Sequence, residues 1–300
     1  MPLIAAGSVA LAAGLDRLVA EPPAALHPVA WLGRALAPLD REWAHPRLAG
    51  TATAVGVPLL AAVAAAGLVA LGARADPLVA AAVAGLVCFV ATSRRMLLDE
   101  AGTVVAASET NLPAARQRLR SLAGRDAAIL SAGEVRSAAV ESAAENLGDG
   151  LVAPLLGFAL LAPLSLPAAA GAAAWIKAVN TLDSTFGYRS KPMGWAPARL
   201  DDFVMWVPAR ASAGLLAVAA GRPGALRRGR PLAGRPASPN AGWPMATLAV
   251  LLGVRLTKPD AYDLASGSTL PTRADADRGV ALVARAGWLA FGLAGVIALC

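Results

Sequence analysis

Charged residues divide this chain into long uncharged stretches. Positions 48–73, 77–93, 150–176 and 236–254 carry no Asp, Glu, Lys or Arg, and each is near or above the roughly 18 residues that a membrane-spanning helix needs. Shorter candidates lie at 2–15 and 279–299, the second interrupted by Arg285. The runs at 48–73 and 77–98 read as two helices joined by the short "RAD" turn at 74–76. Residues 16–47 read as an irregular, proline-containing stretch. Two further segments are broken: "APLSLP" (162–167) puts prolines in the middle of 150–176, and "PAR" (208–210) interrupts 203–221. Proline inside a helix removes backbone hydrogen bonds and breaks or kinks it. At membrane depth such backbone is tolerated only where protein or a cavity covers it. Four to six spanning helices are therefore expected, with 150–176 and 203–221 re-entrant or interfacial.

The one long hydrophilic region, 94–149, holds seven arginines and eight acids. Pro113 in a first turn, glycine stops at Gly124 and Gly133, and acids near N-terminal ends make it read as several helices. It is too long for a simple connection. The expected organisation is a single membrane-embedded domain over 1–300 that contains 94–149 as a cytoplasmic helical insertion.

Composition agrees with this pattern. The chain is 57% hydrophobic and 16% charged, with mean hydropathy +0.56, too apolar for an ordinary soluble domain. The fold class expected is all-α, a polytopic integral membrane helical bundle with re-entrant or broken helices and a helical cytoplasmic region. The net charge of +7 comes from basic residues beside apolar runs, the positive-inside pattern rather than a nucleic-acid surface. The densest cluster, "GRPGALRRGRPLAGR" (221–235), has five arginines and no acid, which places it in the cytoplasm. The first apolar stretch lacks the positive start of a secretory signal and reads as a retained helix. Two cysteines, Cys88 and Cys300, indicate neither a disulfide framework nor a cysteine metal cluster.

Three polar clusters stand against this background. In "VESAAENLGDG" (140–150), Glu141 and Glu145 are four apart, so on a helix they share a face and repel by a few tenths of a kcal/mol. Asn146 and Asp149 follow. The second cluster runs from Lys177 to Asp202 and includes Asn180, Thr181, Asp183, Ser184, Tyr188, Arg189, Lys191, Arg199 and Asp201. The third, "RPASPNAGWP", offers Ser238 and Asn240 in a rigid turn. Ionisable groups beside membrane segments are costly, which makes them functional candidates. The alternative is that they are interfacial caps and solvated faces, with Asp201 and Asp202 as helix N-terminal acids. Carboxylates and amides mixed with Lys and Arg suit magnesium and phosphate chemistry. No Walker A, GxGxxG or HExxH pattern occurs. Of the two histidines, His45 has a bland context, whereas His27 lies near Asp16 and Glu21 and reads equally as a structural cap or a catalytic part.

Taken in order, "LDRLVAEPPAALHPVAWLGR", "GRDAAIL", "AAVESAAENLGDGLVAPL", "AVNTLDSTFGYRS", "PARLDDFVMWVPAR" and "SPNAGWP" resemble the adenosylcobinamide-phosphate synthase family of cobalamin biosynthesis, the CobD/CbiB type. The resemblance covers about residues 11–262 and is most specific from 124 to 210. It implies a multi-pass inner-membrane ligase with its site facing the cytoplasm. The implied reaction is ATP-dependent and joins aminopropanol or its O-phosphate to the free propionate of adenosylcobyric acid.

The implied catalytic residues are Glu141, Glu145, Asn146, Asp183 and His27. Substrate and phosphate would be held by Lys177, Asn180, Thr181, Ser184, Tyr188, Arg199, Arg210, Ser238 and Asn240. Magnesium would be held by Glu141, Glu145, Asp149, Asp183, Asp201 and Asp202. ATP and magnesium are the implied cofactors. Membrane lipid and other corrinoid-pathway enzymes are the implied partners, and no nucleic acid is. The corrinoid would lie over Trp195, Trp206 and Trp243, which read equally as interface anchors. Two departures stand out: Ala20, Glu21 and Pro22 replace a Gly-Asp-Pro, and Lys258 in "LTKPDAYD" precedes Tyr262, to which no role is carried over. A membrane sensor or regulator on the same scaffold, and a corrinoid transporter with discontinuous helices, are the rival readings.

Overall fold

The computed structural model describes residues 2–122, 127–187 and 191–300. The described chain is predominantly helical and divides into two compact units. One comprises Met1–Ser93, Asp149–Met205 and Ala290–Cys300; the other comprises Arg94–Gly148 and Trp206–Leu289. Among the described residues five helices are long and apolar enough to cross a membrane: Pro2–Val19, Pro46–Ala75, Pro77–Thr110, Ala132–Leu161 and Arg273–Ile297. They become six if Pro192–Val204 and Trp206–Ala219 count as one broken span. The all-α polytopic expectation holds.

The first unit contains α1 (Pro2–Val19), α2 (Pro28–Leu36), α3 (Pro46–Ala75) and α4 (Pro77–Ala91). After the break in the chain it continues with α8 (Ala153–Leu161), α9 (Leu166–Phe186) and α10 (Trp195–Val204). The stretch 16–47 is more ordered than its prolines suggest, because α1 runs on to Val19 and Pro28 opens α2 with His27 as its cap. The turn between α3 and α4 falls where expected, with Asp76 Oδ1 accepting from the Leu78 N–H at 2.7 Å. The "APLSLP" break is also real: α8 ends at Leu161, and Ser165 Oγ caps α9 by accepting from the Ala168 N–H. Small residues bring these helices close, as in membrane bundles. Ser8 Oγ on α1 donates to the Ala81 carbonyl on α4 at 2.9 Å, beside Gly85.

The second unit contains α5 (Arg95–Thr110), α6 (Leu112–Leu122) and α7 (Ala132–Asn146). It continues with α11 (Trp206–Ala219), α12 (Gly224–Ala233), α13 (Gly242–Leu252), a hairpin of β1 (Arg255–Lys258) and β2 (Tyr262–Ala265), and the first part of α14 (Arg273–Ile297). Gly133 does not stop a helix. Ser131 and Glu134 form a reciprocal capping box there, and Gly133 lies in the first turn of α7, under Leu270. Gly124 lies outside the described residues. The break near 208–210 falls instead at Met205, with Pro208 in the first turn of α11, where a missing N–H costs nothing. The 236–254 run is not a span: its first residues form a turn, and α13 has only 11 residues, buried on nearly every face. An apolar helix of that length is a core helix rather than a crossing. The antiparallel hairpin pairs Arg255 with Ala265 and Lys258 with Tyr262. Leu256 and Leu264, opposite each other, are its buried residues.

A Cβ at Gly85 would come within 2.9 Å of the Ser8 carbonyl oxygen. Gly85→Val is therefore expected to force α1 off α4 and cost about 1–3 kcal/mol, read as a lower Tm in detergent. An unchanged Tm would contradict the close approach.

Candidate functional site

The polar motifs gather in two places, one in each unit. In the first unit, His27 caps α2: its Nδ1 accepts from the Val29 N–H at 3.2 Å, so the structural-cap reading is correct. Its Nε2 faces Glu21 Oε2 at 3.5 Å. Burial pushes the imidazole below its ordinary value of 6.5, against the upward pull of Glu21 and with help from the positive charge of Lys177. Lys177 in turn feels both Glu21 and Asp149. Glu21, His27, Lys177 and Asp149 thus form one interacting set. Lys177, Asn180, Thr181 and Ser184 share a stripe of α9 by helical spacing.

Other members of the second motif are occupied with the helix itself. Thr181 Oγ1 donates to the Lys177 carbonyl, and Ser184 Oγ donates to the Thr181 carbonyl, at 2.8 and 2.9 Å. Asp183 lies over Gly187, where a Cβ would meet its carboxylate and, at 2.5 Å, its backbone carbonyl oxygen. On α10, Asp201 is buried, Asp202 half-buried and Arg199 exposed. Tyr188 and Arg189 lie outside the described residues.

In the second unit a cavity of about 400 Å³ is lined by Ser142, Glu145, Ser238, Met245, Lys258 and Tyr262, among others. It brings Glu145 of the first motif together with Ser238 of the third. Ser238 Oγ accepts from the Asn240 and Ala241 N–H groups and fixes the turn before α13. Asn240 Oδ1 accepts from Arg210 Nη1 at 2.9 Å, and the same nitrogen donates to the Trp206 carbonyl. The Arg210 guanidinium lies 4.3 and 4.8 Å from the ring centres of Trp206 and Trp243. Such contacts contribute about 0.5–2 kcal/mol each, and they lock the third motif onto α11. Asn146 donates to the Ser142 carbonyl at 3.0 Å. Just beyond it, Leu147–Val152 forms a π-helical turn, a feature common at functional sites.

Glu141 is 1% exposed. Ser137 Oγ donates to its Oε1 at 2.5 Å, and the Tyr262 hydroxyl donates to its Oε2 at 2.6 Å. The Thr257 N–H donates to Ser137 Oγ at 2.8 Å, extending the chain into β1. With both oxygens turned into this buried network, Glu141 suits a positioning role that ties the hairpin to α7. Tyr262 and Lys258 are the pocket residues that sequence reasoning missed.

Among the described residues, no three His, Cys, Asp or Glu side chains form a group fit to hold a metal ion unaided.

A helical membrane scaffold with polar motifs buried at the ends and breaks of its apolar helices is the class that fold and site define. The CobD/Cbib protein family model matches residues 9–287, and the chain belongs to that family, whose role is in cobalamin biosynthesis. It is 32% identical over 293 residues to the probable cobalamin biosynthesis protein CobD of Methanothrix thermoacetophila, covering 92% of this chain and 91% of that one. It is 34% identical over 302 residues to the CobD protein of Rhodobacter capsulatus, covering 94% and 93%. To that of Klebsiella pneumoniae it is 34% identical over 266 residues, covering 83% and 81%. No solved structure matches.

Tyr262→Phe removes a hydroxyl that donates to the buried Glu141. A loss of about 1–3 kcal/mol is expected, with Glu141→Gln/Tyr262→Phe less than additive; full additivity would contradict the coupling. For His27, the unfolded chain binds more protons than the folded one just below pH 6.5, so its contribution to stability falls as pH drops through that value. His27→Asn keeps a capping side chain and is expected to flatten the acid side of the Tm–pH curve. Identical acid slopes in both proteins would contradict the assignment.

Proposed function

We propose that the chain is the ligase that joins an aminopropanol, as its O-phosphate, to the free propionate of adenosylcobyric acid at the expense of ATP. The observation that carries this reading is the 400 Å³ pocket, where Glu145 and Ser238 from two separate motifs meet Lys258 and Tyr262. A carboxylate and an ammonium beside hydroxyls complement a small zwitterion with an amine at one end and a phosphate ester at the other. A pocket of this size lies at the small end of ligand sites, so the broad corrinoid presents only its propionate arm there.

Amide formation from a carboxylate needs the leaving oxygen activated. The propionate oxygen takes the γ-phosphoryl group of ATP and ADP departs. The amine nitrogen then attacks the acyl carbon, and phosphate leaves with the electrons of the broken C–O bond. Glu145 holds the ammonium form and takes the proton that must leave before attack. Lys258 holds the phosphate ester, and the Tyr262 hydroxyl is fixed in place by Glu141. Within the first unit taken by itself, Lys177, with His27 and Glu21 setting its surroundings, is a candidate for phosphate oxygens. A magnesium ion carried on nucleotide phosphates would need only one or two protein carboxylates. Asp149 is the foremost candidate, followed by Asp183, Asp201 and Asp202. When bound, magnesium neutralises phosphate charge. The site faces the cytoplasm of a cell membrane in this reading, on the side of the arginine cluster.

Mass spectrometry of the corrinoid, after incubating purified protein with adenosylcobyric acid, ATP, magnesium and either amine, tests the proposal. An aminopropanol-phosphate adduct is expected, lost in Glu145→Gln although that variant folds. Lys258→Gln is expected to raise KM for the phosphorylated amine about tenfold or more, the worth of a charge-assisted contact, and to leave free aminopropanol unaffected. Retained corrinoid without product would favour the sensor reading, and corrinoid carried unchanged across vesicles would favour the transporter.

A further inference from the structure

Helix α12 has two unlike halves. Ala225, Gly229 and Ala233 recur every fourth residue and are buried. Gly229 brings the helix so close to α13 that a Cβ would sit 3.1 Å from the Thr247 nitrogen. Arg227, Arg228 and Arg230 lie on the opposite half and are exposed. The flanking arginines are engaged differently: Arg235 Nη1 donates to the Asp263 carbonyl at 2.5 Å, and Arg222 approaches the Leu251 carbonyl at 3.5 Å. No ion pair to Arg227, Arg228 or Arg230 occurs among the described residues, and no acid lies between 221 and 235.

α12 begins five residues after the end of α11, at Gly224 against Ala219. α11 is an apolar helix with Trp206, Val207 and Val218 exposed, as a lipid-facing surface would have them. If Pro192–Val204 and Trp206–Ala219 form one bent span, an arginine cluster five residues beyond its end meets the headgroup layer, where each Lys or Arg adds attraction to anionic lipid. We infer that the Arg227–Arg228–Arg230 face of α12 is an anionic-lipid site, in which phosphodiester headgroups pair with guanidinium groups held in place by the packing of α12 on α13. The buried alanine–glycine stripe keeps the helix from rolling, so the three arginines stay turned outward.

Native mass spectrometry of the full chain in neutral detergent, titrated separately with phosphatidylglycerol, phosphatidylcholine and inorganic phosphate, tests this. Wild-type protein is expected to retain phosphatidylglycerol in preference to phosphatidylcholine, less so as salt rises, and millimolar inorganic phosphate is expected not to displace it. Arg227→Gln/Arg228→Gln/Arg230→Gln is expected to weaken phosphatidylglycerol binding about tenfold or more, and the matching triple lysine variant is expected to keep most of it. Both should retain the wild-type elution volume and Tm in lipid-free detergent. Equal retention of the two lipids, or undiminished phosphatidylglycerol binding in the glutamine variant, would overturn the inference. Displacement by inorganic phosphate would overturn it in favour of a site for a free phosphate compound.

Discussion

A carboxylate buried in an alanine-rich helical protein needs hydrogen-bond donors, because leaving it without them costs several kcal/mol. At Glu141 the donors come from Ser137, one turn away on α7, and from Tyr262, 121 positions away on β2. The second contact has the larger consequence. It draws a two-stranded hairpin onto α7, and the hairpin carries Lys258 and Tyr262 to the rim of the pocket that already contains Glu145 and Ser238. The apparent conflict of two glutamates on one helical face is thereby resolved. Glu141 is sequestered among hydroxyls and backbone, and Glu145, half-buried, is turned to the cavity.

The same economy governs the rest of the chain. Buried polar groups are few, and most have a neighbour that fixes them. Ser8 bridges α1 and α4, Ser212 and Thr92 donate back to helix carbonyls, and His27 caps a helix while facing Glu21. Glycine and alanine let helices approach closely enough that packing replaces the hydrophobic drive missing in lipid. Helix breaks fall where prolines and serines cap new helices. The polar motifs cluster at those breaks and at the π-helical turn that follows α7.

Much of this was legible in the chain. Charge-free runs gave α3 to within two residues and the start of α4, which ends at Ala91 rather than running on to 98, and the prolines of "APLSLP" gave the division between α8 and α9. The order of motifs gave the family and put Glu145 and Ser238 among the candidates. What was not legible depended on tertiary partners. α13 is apolar on every side, and such a pattern reads equally as a span or as a core helix; only its 11 residues and the protein around it decide. Strands of four residues offer too little alternation to announce themselves. The pairing of Tyr262 with Glu141 leaves no local trace at all. The roles expected for Thr181 and Ser184 came from the family motif, and their hydroxyls donate to carbonyls of their own helix.

The central claim is that the pocket between α7, the "SPNAG" turn and the hairpin takes the small amine substrate. Ala237 is exposed on its rim. Cys88 is buried, and the exposed Cys300 can be replaced by serine. In such a protein, the rate at which a water-soluble maleimide labels Ala237→Cys reports directly on occupancy. Aminopropanol O-phosphate is expected to slow labelling in a saturable way, with no effect when Glu145 is also glutamine. A labelling rate indifferent to the amine, in protein that still makes product, would place the substrate elsewhere.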